Sequence, residues 1–271
     1  MQEGLSCGEN LDEEKSQRRE VLEKMKELAY SEAPEPKEDW DLVWVISGPP
    51  IDIKEDFSDE SKKVLFREGD KIAGRDIADK RNESRERMET GLKIVREVTA
   101  KRLGKKAEDV TADDILNNGP NIYWNATDWA NDNIREAMEE GFFEEKYKFP
   151  SKKIVVAPPD SGIEHTGHQF ERFPEELAEA SRKIVLVSDI YHLPRVVRYL
   201  DVDYSKIPAE KVVVYPSEPR KVPVGKALGE TKKIPSYIKK VFCLKRPPKN
   251  KIYVTNHWNS RVAERRQVYT I

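Results

Sequence analysis

Apolar residues along the chain fall into short unbroken runs and into stripes spaced three and four apart, and the two patterns alternate. A stripe comes first: over 12–30, Val21, Leu22, Met25, Leu28 and Ala29 share one helical face. The segment 31–39, SEAPEPKED, ends that helix in a linker, because a helix interior tolerates neither proline. The run DLVWVISGPP over 41–50 reads as a strand buried on both faces and closed by glycine and proline. Residues 51–86 are polar and rich in Asp, Lys and Arg, and no period assigns them an element.

A second helix carries Met88, Leu92, Val95 and Thr99 on one side and ends near Gly104. Thr111 with Asp114 three residues on starts a short helix in capping-box fashion. The stretch 121–129 is a strand running into a helix capped by Thr127 and stopped by Gly141. A strand at 153–159 leads through a polar loop to a helix around 174–182, with Pro174 suited to its first turn. Strands at 183–188 and 211–217 flank a helix at 193–200, and a helix near 235–243 and a strand at 251–255 follow. Strands alternating with helices predict an α/β fold, a Rossmann-like open and mostly parallel sheet with helices on both faces. A closed barrel needs more strands than the pattern supplies.

Composition narrows the picture. The 271 residues suffice for a large core, and residues 1–38 read as a helix and linker ahead of a single domain over 39–271. The charged fraction is 36%, but net charge is −2, so no global field recruits nucleic acid or an anionic membrane. The basic-aromatic tail 257–269 interleaves its arginines with Glu264 and Gln267 and leaves no electrostatic footprint for nucleic acid. No apolar run approaches the roughly 20 residues of a membrane span, and the first twenty residues are acidic and polar rather than basic and then apolar. Cys7 and Cys243 stand alone, which excludes a disulfide framework and a zinc ribbon. These features place the chain in the cytoplasm, with a small molecule as its expected partner.

Candidate chemistry sits where strands end, since parallel sheets bind ligands at their carboxyl edge. Four polar knots qualify: Ser47 and Gly48; Asn125, Thr127 and Asp128; the loop 160–169 with Glu164, His165, Thr166 and His168; and Ser188, Asp189, Tyr191, His192 and Arg195. In the last, a helix amino end and Arg195 suit an anion. His192 suits acid–base work near neutral pH and Asp189 is the second catalytic candidate, although Asp189 also fits a helix cap, Tyr191 packing and His192 a buried carbonyl's partner. Asn125, Thr127 and Asp128 also fit plain helix capping. His165-x-x-His168, with Asp160, Glu164 or His192 nearby, has the spacing of a metal pair but none of the usual context, and metal is not favoured. Arg67, Arg75 and Arg81 fit either a cover over an anion or a solvated face. Phosphate-loop, dinucleotide and esterase motifs are absent from the sequence.

The stretch Ser188-Asp189-Ile190-Tyr191-His192-Leu193-Pro194-Arg195 resembles the signature of the domain-of-unknown-function 218 family (DUF218), where a Val-Thr-Ser turn precedes Tyr-His-Met-Pro-Arg-Ala. Tyr191, His192, Pro194 and Arg195 match it, while Ser188, Asp189 and Leu193 stand at its Thr, Ser and Met positions. Upstream, Thr166 matches a Ser-x-Asn-Thr-x-Glu-Asn loop in which His168 and Gln169 replace Glu and Asn. The helix with Arg87, Met88 and Gly91 is similar to the family's Arg-x-x-x-Gly helix, and the likeness spans about 41–217, leaving 218–271 as an extension. The resemblance implies a Rossmann-like fold with a pocket at the sheet rim, S-adenosylmethionine binding in some members, and no settled reaction. Together these readings predict an enzyme, a hydrolase or transferase, acting on a phosphorylated or nucleotide-like ligand. The rival expectation is a non-catalytic S-adenosylmethionine-binding protein with Trp124 or Tyr191 as its aromatic wall.

Overall fold

A computed structural model of the chain describes residues 32–47, 83–200 and 206–218, together with the isolated helical positions Arg19 and Glu23. The remainder of the 12–30 helix, the turn at Gly48, most of 51–86 with Arg67, Arg75 and Arg81, and the elements expected after 218 lie outside the described residues.

Five parallel strands form the sheet: β1 (Trp40–Ile46), β2 (Asn121–Asn125), β3 (Ile154–Val156), β4 (Lys183–Ser188) and β5 (Val212–Pro216). Their order is β3-β2-β1-β4-β5. Because β1 is central, its alternating side chains feed two cores. Leu42, Trp44 and Ile46 face one side, and Val43 and Val45 the other. A register shift between Trp40 and Leu42 puts Trp40 on the Val43 side, away from Leu42.

The helices divide by face. On the Val43 side lie α1 (Glu83–Leu103), α2 (Ala112–Asn118), α3 (Asp128–Glu139) and α4 (Phe142–Tyr147), through Met88, Val95, Ile115, Ile134 and Phe143. On the Trp44 side lie α5 (Thr166–Glu171), α6 (Glu175–Ala180) and α7 (Leu193–Leu200), through Phe170, Ala178 and Val196. Trp44 anchors that second core, with Phe170 and Phe173 edge-on at 4.8 and 4.7 Å between ring centroids. Chain segments before β3 therefore cross one face and those after it the other, and the winding reverses between β1 and β4. The open, parallel, Rossmann-like sheet expected from the sequence is present. Among the described residues, no helix is long and apolar enough to cross a membrane.

Several boundaries differ from expectation. β3 is three residues long rather than seven, and it ends before Pro158 and Pro159. Residues 166–171, expected as loop, form α5, because its buried Gly167 and Gln169 hide the helical period among polar neighbours. The compact helix α4 follows Gly141, whose φ of 72° turns the chain between two helices. Thr127 stands at the start of α3, but its side chain makes no capping bond.

α1 lies close enough to the sheet that a Cβ on Gly91 would sit 2.8 Å from Val45 Cγ2. Val45 is fully buried and has nowhere to retreat. Gly91→Val should therefore destabilise the fold by about 2 kcal/mol or more through overpacking, measured as a lower urea midpoint at unchanged slope.

At the start of α2, the Asp114 N–H donates to Thr111 Oγ1 at 3.1 Å, while the Asp114 carboxylate accepts from Thr111 N–H at 3.0 Å and from Lys105 Nζ at 2.9 Å. Lys105 foremost, then the Thr111 N–H, holds the carboxyl down to about 2. A lowered carboxylate contributes stability above its unfolded value of 3.8 and loses it as pH falls towards about 2. NMR titration should place Asp114 near 2, and Lys105→Ala should move it upward.

Candidate functional site

The winding reverses between β1 and β4, and the carboxyl ends of the strands there are the place where this fold class binds ligands. There a buried ionic cluster joins four segments. Arg87, from the first turns of α1, directs Nε and Nη2 to Asp189 Oδ2 at 2.9 and 2.6 Å, and Nη1 to the Ile46 carbonyl at 2.8 Å. Ser217, just past β5, donates from Oγ to Asp189 Oδ1 at 2.5 Å. The side chains of Arg87 and Asp189 are 0% and 5% exposed. The carboxylate expected to be catalytic thus has both oxygens occupied and acts as a strut at the ends of β1, β4 and β5.

Beside it sits His192, only 2% exposed. Its Nδ1 lies 2.8 Å from Ser188 Oγ and its Nε2 lies 3.2 Å from Thr166 Oγ1. The main chain explains the placement. The N–H groups of His192 and Leu193 donate to the Asp189 carbonyl at 2.8 and 2.9 Å, which turns β4 directly into α7. Ser188 is fully buried, whereas Thr166, the first residue of α5, is partly exposed. Arg195 occupies the first turn of α7 and is partly exposed.

A second network fixes α5. Asn125 accepts from Trp44 Nε1 at 2.7 Å and donates from Nδ2 to the Gln169 carbonyl at 2.8 Å. Gln169 Nε2 donates to the Asn125 carbonyl at 2.5 Å and to Ser47 Oγ at 3.0 Å. Asn125 and Ser47 therefore hold the frame that carries Thr166. Asp128 Oδ1 accepts from the N–H and hydroxyl of Ser161 at 3.0 and 2.8 Å, tying the β3 loop to α3.

The histidine pair has a local task. His165 caps α5, its Nδ1 accepting from the His168 N–H at 3.3 Å. His168 Nδ1 in turn accepts from the Glu164 N–H at 3.3 Å, and the rings lie 3.7 Å apart between centroids. Glu164 itself is exposed. No group of three or more His, Cys, Asp or Glu side chains suited to a metal ion occurs among the described residues.

The carboxyl end of the sheet thus gathers Ser47, Asn125, Thr166, Ser188, Asp189 and His192 through the contacts above. Nothing joins Thr127 to them, and Gly48 lies outside the described residues. Tyr191 and Trp124 are 4% and 0% exposed and belong to the two hydrophobic cores, so neither offers an open aromatic wall. Three contributors escaped the site reading: Arg87, Gln169 and Ser217. Arg87 had a signal, because it falls on the stripe that buries Met88, Gly91 and Val95. Gln169 had only its place at the end of the loop that resembles the Ser-x-Asn-Thr-x-Glu-Asn stretch, and Ser217 had none. Comparison with protein-family models, curated proteins and solved structures finds no match to this chain.

Removing one partner of a buried ion pair strands the other charge without water. Arg87→Met and Asp189→Leu should each cost about 3–5 kcal/mol by chemical denaturation. The double variant should recover much of that loss, giving a large coupling energy in a double-mutant cycle.

Proposed function

We propose that the chain is a divergent DUF218-like protein that binds a small phosphorylated or nucleotide-like anion at the carboxyl ends of β1 and β4 and acts on it as a hydrolase or transferase. The observation that carries the reading is His192, held at both ring nitrogens by hydroxyls at the point where a ligand enters this fold class. An imidazole so held is fixed in orientation, as proton transfer to or from a bound ligand requires.

In this reading Arg195 attracts the anion, since a guanidinium group favours phosphate oxygens. His192 exchanges the proton, and Thr166 orients the ligand, while His168 serves through the start of α5. Asp189 positions His192 through the Arg87 pair rather than taking part in the reaction. The partner is a small molecule, not nucleic acid or a membrane. An S-adenosylmethionine sensor would need a flat apolar slot, and Trp124 and Tyr191 are already packed inside the cores.

Differential scanning fluorimetry with inorganic phosphate, sugar phosphates, nucleotides and S-adenosylmethionine tests this. A phosphate-bearing ligand at a hundred times its Kd should stabilise the protein by about 2.7 kcal/mol. Arg195→Ala should remove most of that shift, and His192→Ala should stop any turnover. Full ligand-induced stabilisation in both variants would defeat the reading, and a shift with S-adenosylmethionine alone would favour the sensor.

A further inference from the structure

We infer that the reacting atom of this site is Thr166 Oγ1, a nucleophile whose proton His192 removes. The inference rests on the anion-binding reading above and deepens it. His192 is 2% exposed and both of its ring nitrogens face hydroxyl groups, so the imidazole meets a bound ligand only across one of them. Ser188 is 0% exposed and lies behind the ring. Thr166 is partly exposed and lies in front of it, 3.2 Å from Nε2. Burial therefore selects between two otherwise similar hydroxyls.

The remaining contacts suit that role. For Nε2 to accept the Thr166 proton, Nδ1 must carry the ring hydrogen, and Ser188 Oγ at 2.8 Å is placed to accept it. Thr166 stands on a rigid support, because Gln169 ties α5 to Asn125 and Ser47, and Phe170 packs edge-on against Trp44. A hydroxyl behind the imidazole, where many hydrolases place a carboxylate, makes His192 a modest base and the site a slow one.

The step balances as a phosphoryl transfer. Thr166 Oγ1 forms a bond to phosphorus while the bond from phosphorus to the leaving oxygen breaks. The hydroxyl proton moves to His192 Nε2 and from there to the leaving group. Water, deprotonated by the same nitrogen, then attacks phosphorus, the Thr166–phosphorus bond breaks, His192 returns the proton to Thr166 Oγ1, and phosphate is released.

Diisopropyl fluorophosphate reports on an activated hydroxyl without knowledge of the substrate. Attack forms the Thr166 oxygen–phosphorus bond and expels fluoride, and the proton leaves through His192. Intact mass and peptide mapping of the full chain should find one adduct, on Thr166. Labelling should persist in Thr166→Ser, vanish in Thr166→Val, and slow about 100-fold in His192→Ala. Absence of an adduct on Thr166 in both the parent and Thr166→Ser, or equal labelling in His192→Ala, overturns the assignment. Ligand-induced thermal stabilisation separates the two ideas: if Thr166→Val keeps it while the parent takes up no label, the anion-binding reading stands and the nucleophile falls.

Discussion

A guanidinium and a carboxylate leave water only in each other's company, and the Arg87–Asp189 pair does so where the sheet reverses its winding. Crossover helices leave opposite faces there, so neither layer closes the top of the seam between β1 and β4. The pair closes it. Arg87 brings the first turns of α1 over the seam and takes the last carbonyl of β1, and Asp189 draws in Ser217 from the end of β5. An apolar plug of the same volume would match its free energy, but it would not specify which oxygen meets which nitrogen. We read the pair as a device for registry, with stability secondary.

That registry passes directly to the chemistry. Once the Asp189 side chain is fixed, its carbonyl is fixed too, and that carbonyl starts α7 by accepting from His192 and Leu193. Ser188, one residue earlier, is held by the strand, its own carbonyl accepting from the Ser217 N–H at 2.9 Å. The imidazole then has only a narrow set of positions in which Nδ1 reaches the Ser188 hydroxyl. A residue that touches no ligand thereby decides where the proton-accepting nitrogen points, as supporting shells do in metal and enzyme sites.

The sequence was legible wherever burial was apolar. β4 and α7 follow the run KIVLVS and the stripe after it, so their limits match expectation at 183–188 and 193–200. The buried face of α1 and its stop at Gly104, with φ of 62°, were legible for the same reason. Where a segment buries polar atoms, the period disappears. α5 turns Gly167, Gln169 and Phe170 inward, and only the phenylalanine registers as core. Arg87 is the converse, a charge inside an apolar stripe, and such a misfit is itself a readable sign of a buried partner. Nothing local announces that the partner is Asp189, 102 residues away.

The His165-x-x-His168 spacing shows how one pattern serves two chemistries. Ligands three apart on a helix can share a metal, but three is also the offset between an N-cap and the N–H it satisfies. Here His165 accepts from the His168 N–H, and the His168 ring reaches back to the Glu164 N–H, one residue before the cap. The exchange is reciprocal, as in a capping box, with imidazole nitrogens in place of hydroxyl and carboxylate oxygens. Both Nδ1 lone pairs accept hydrogen, so the neutral rings carry their protons on Nε2, and a metal at either Nδ1 would displace a backbone bond that starts α5. The histidines therefore serve the site by beginning the helix one residue before Thr166. That start sets the direction of the Thr166 hydroxyl, and with it the approach to His192.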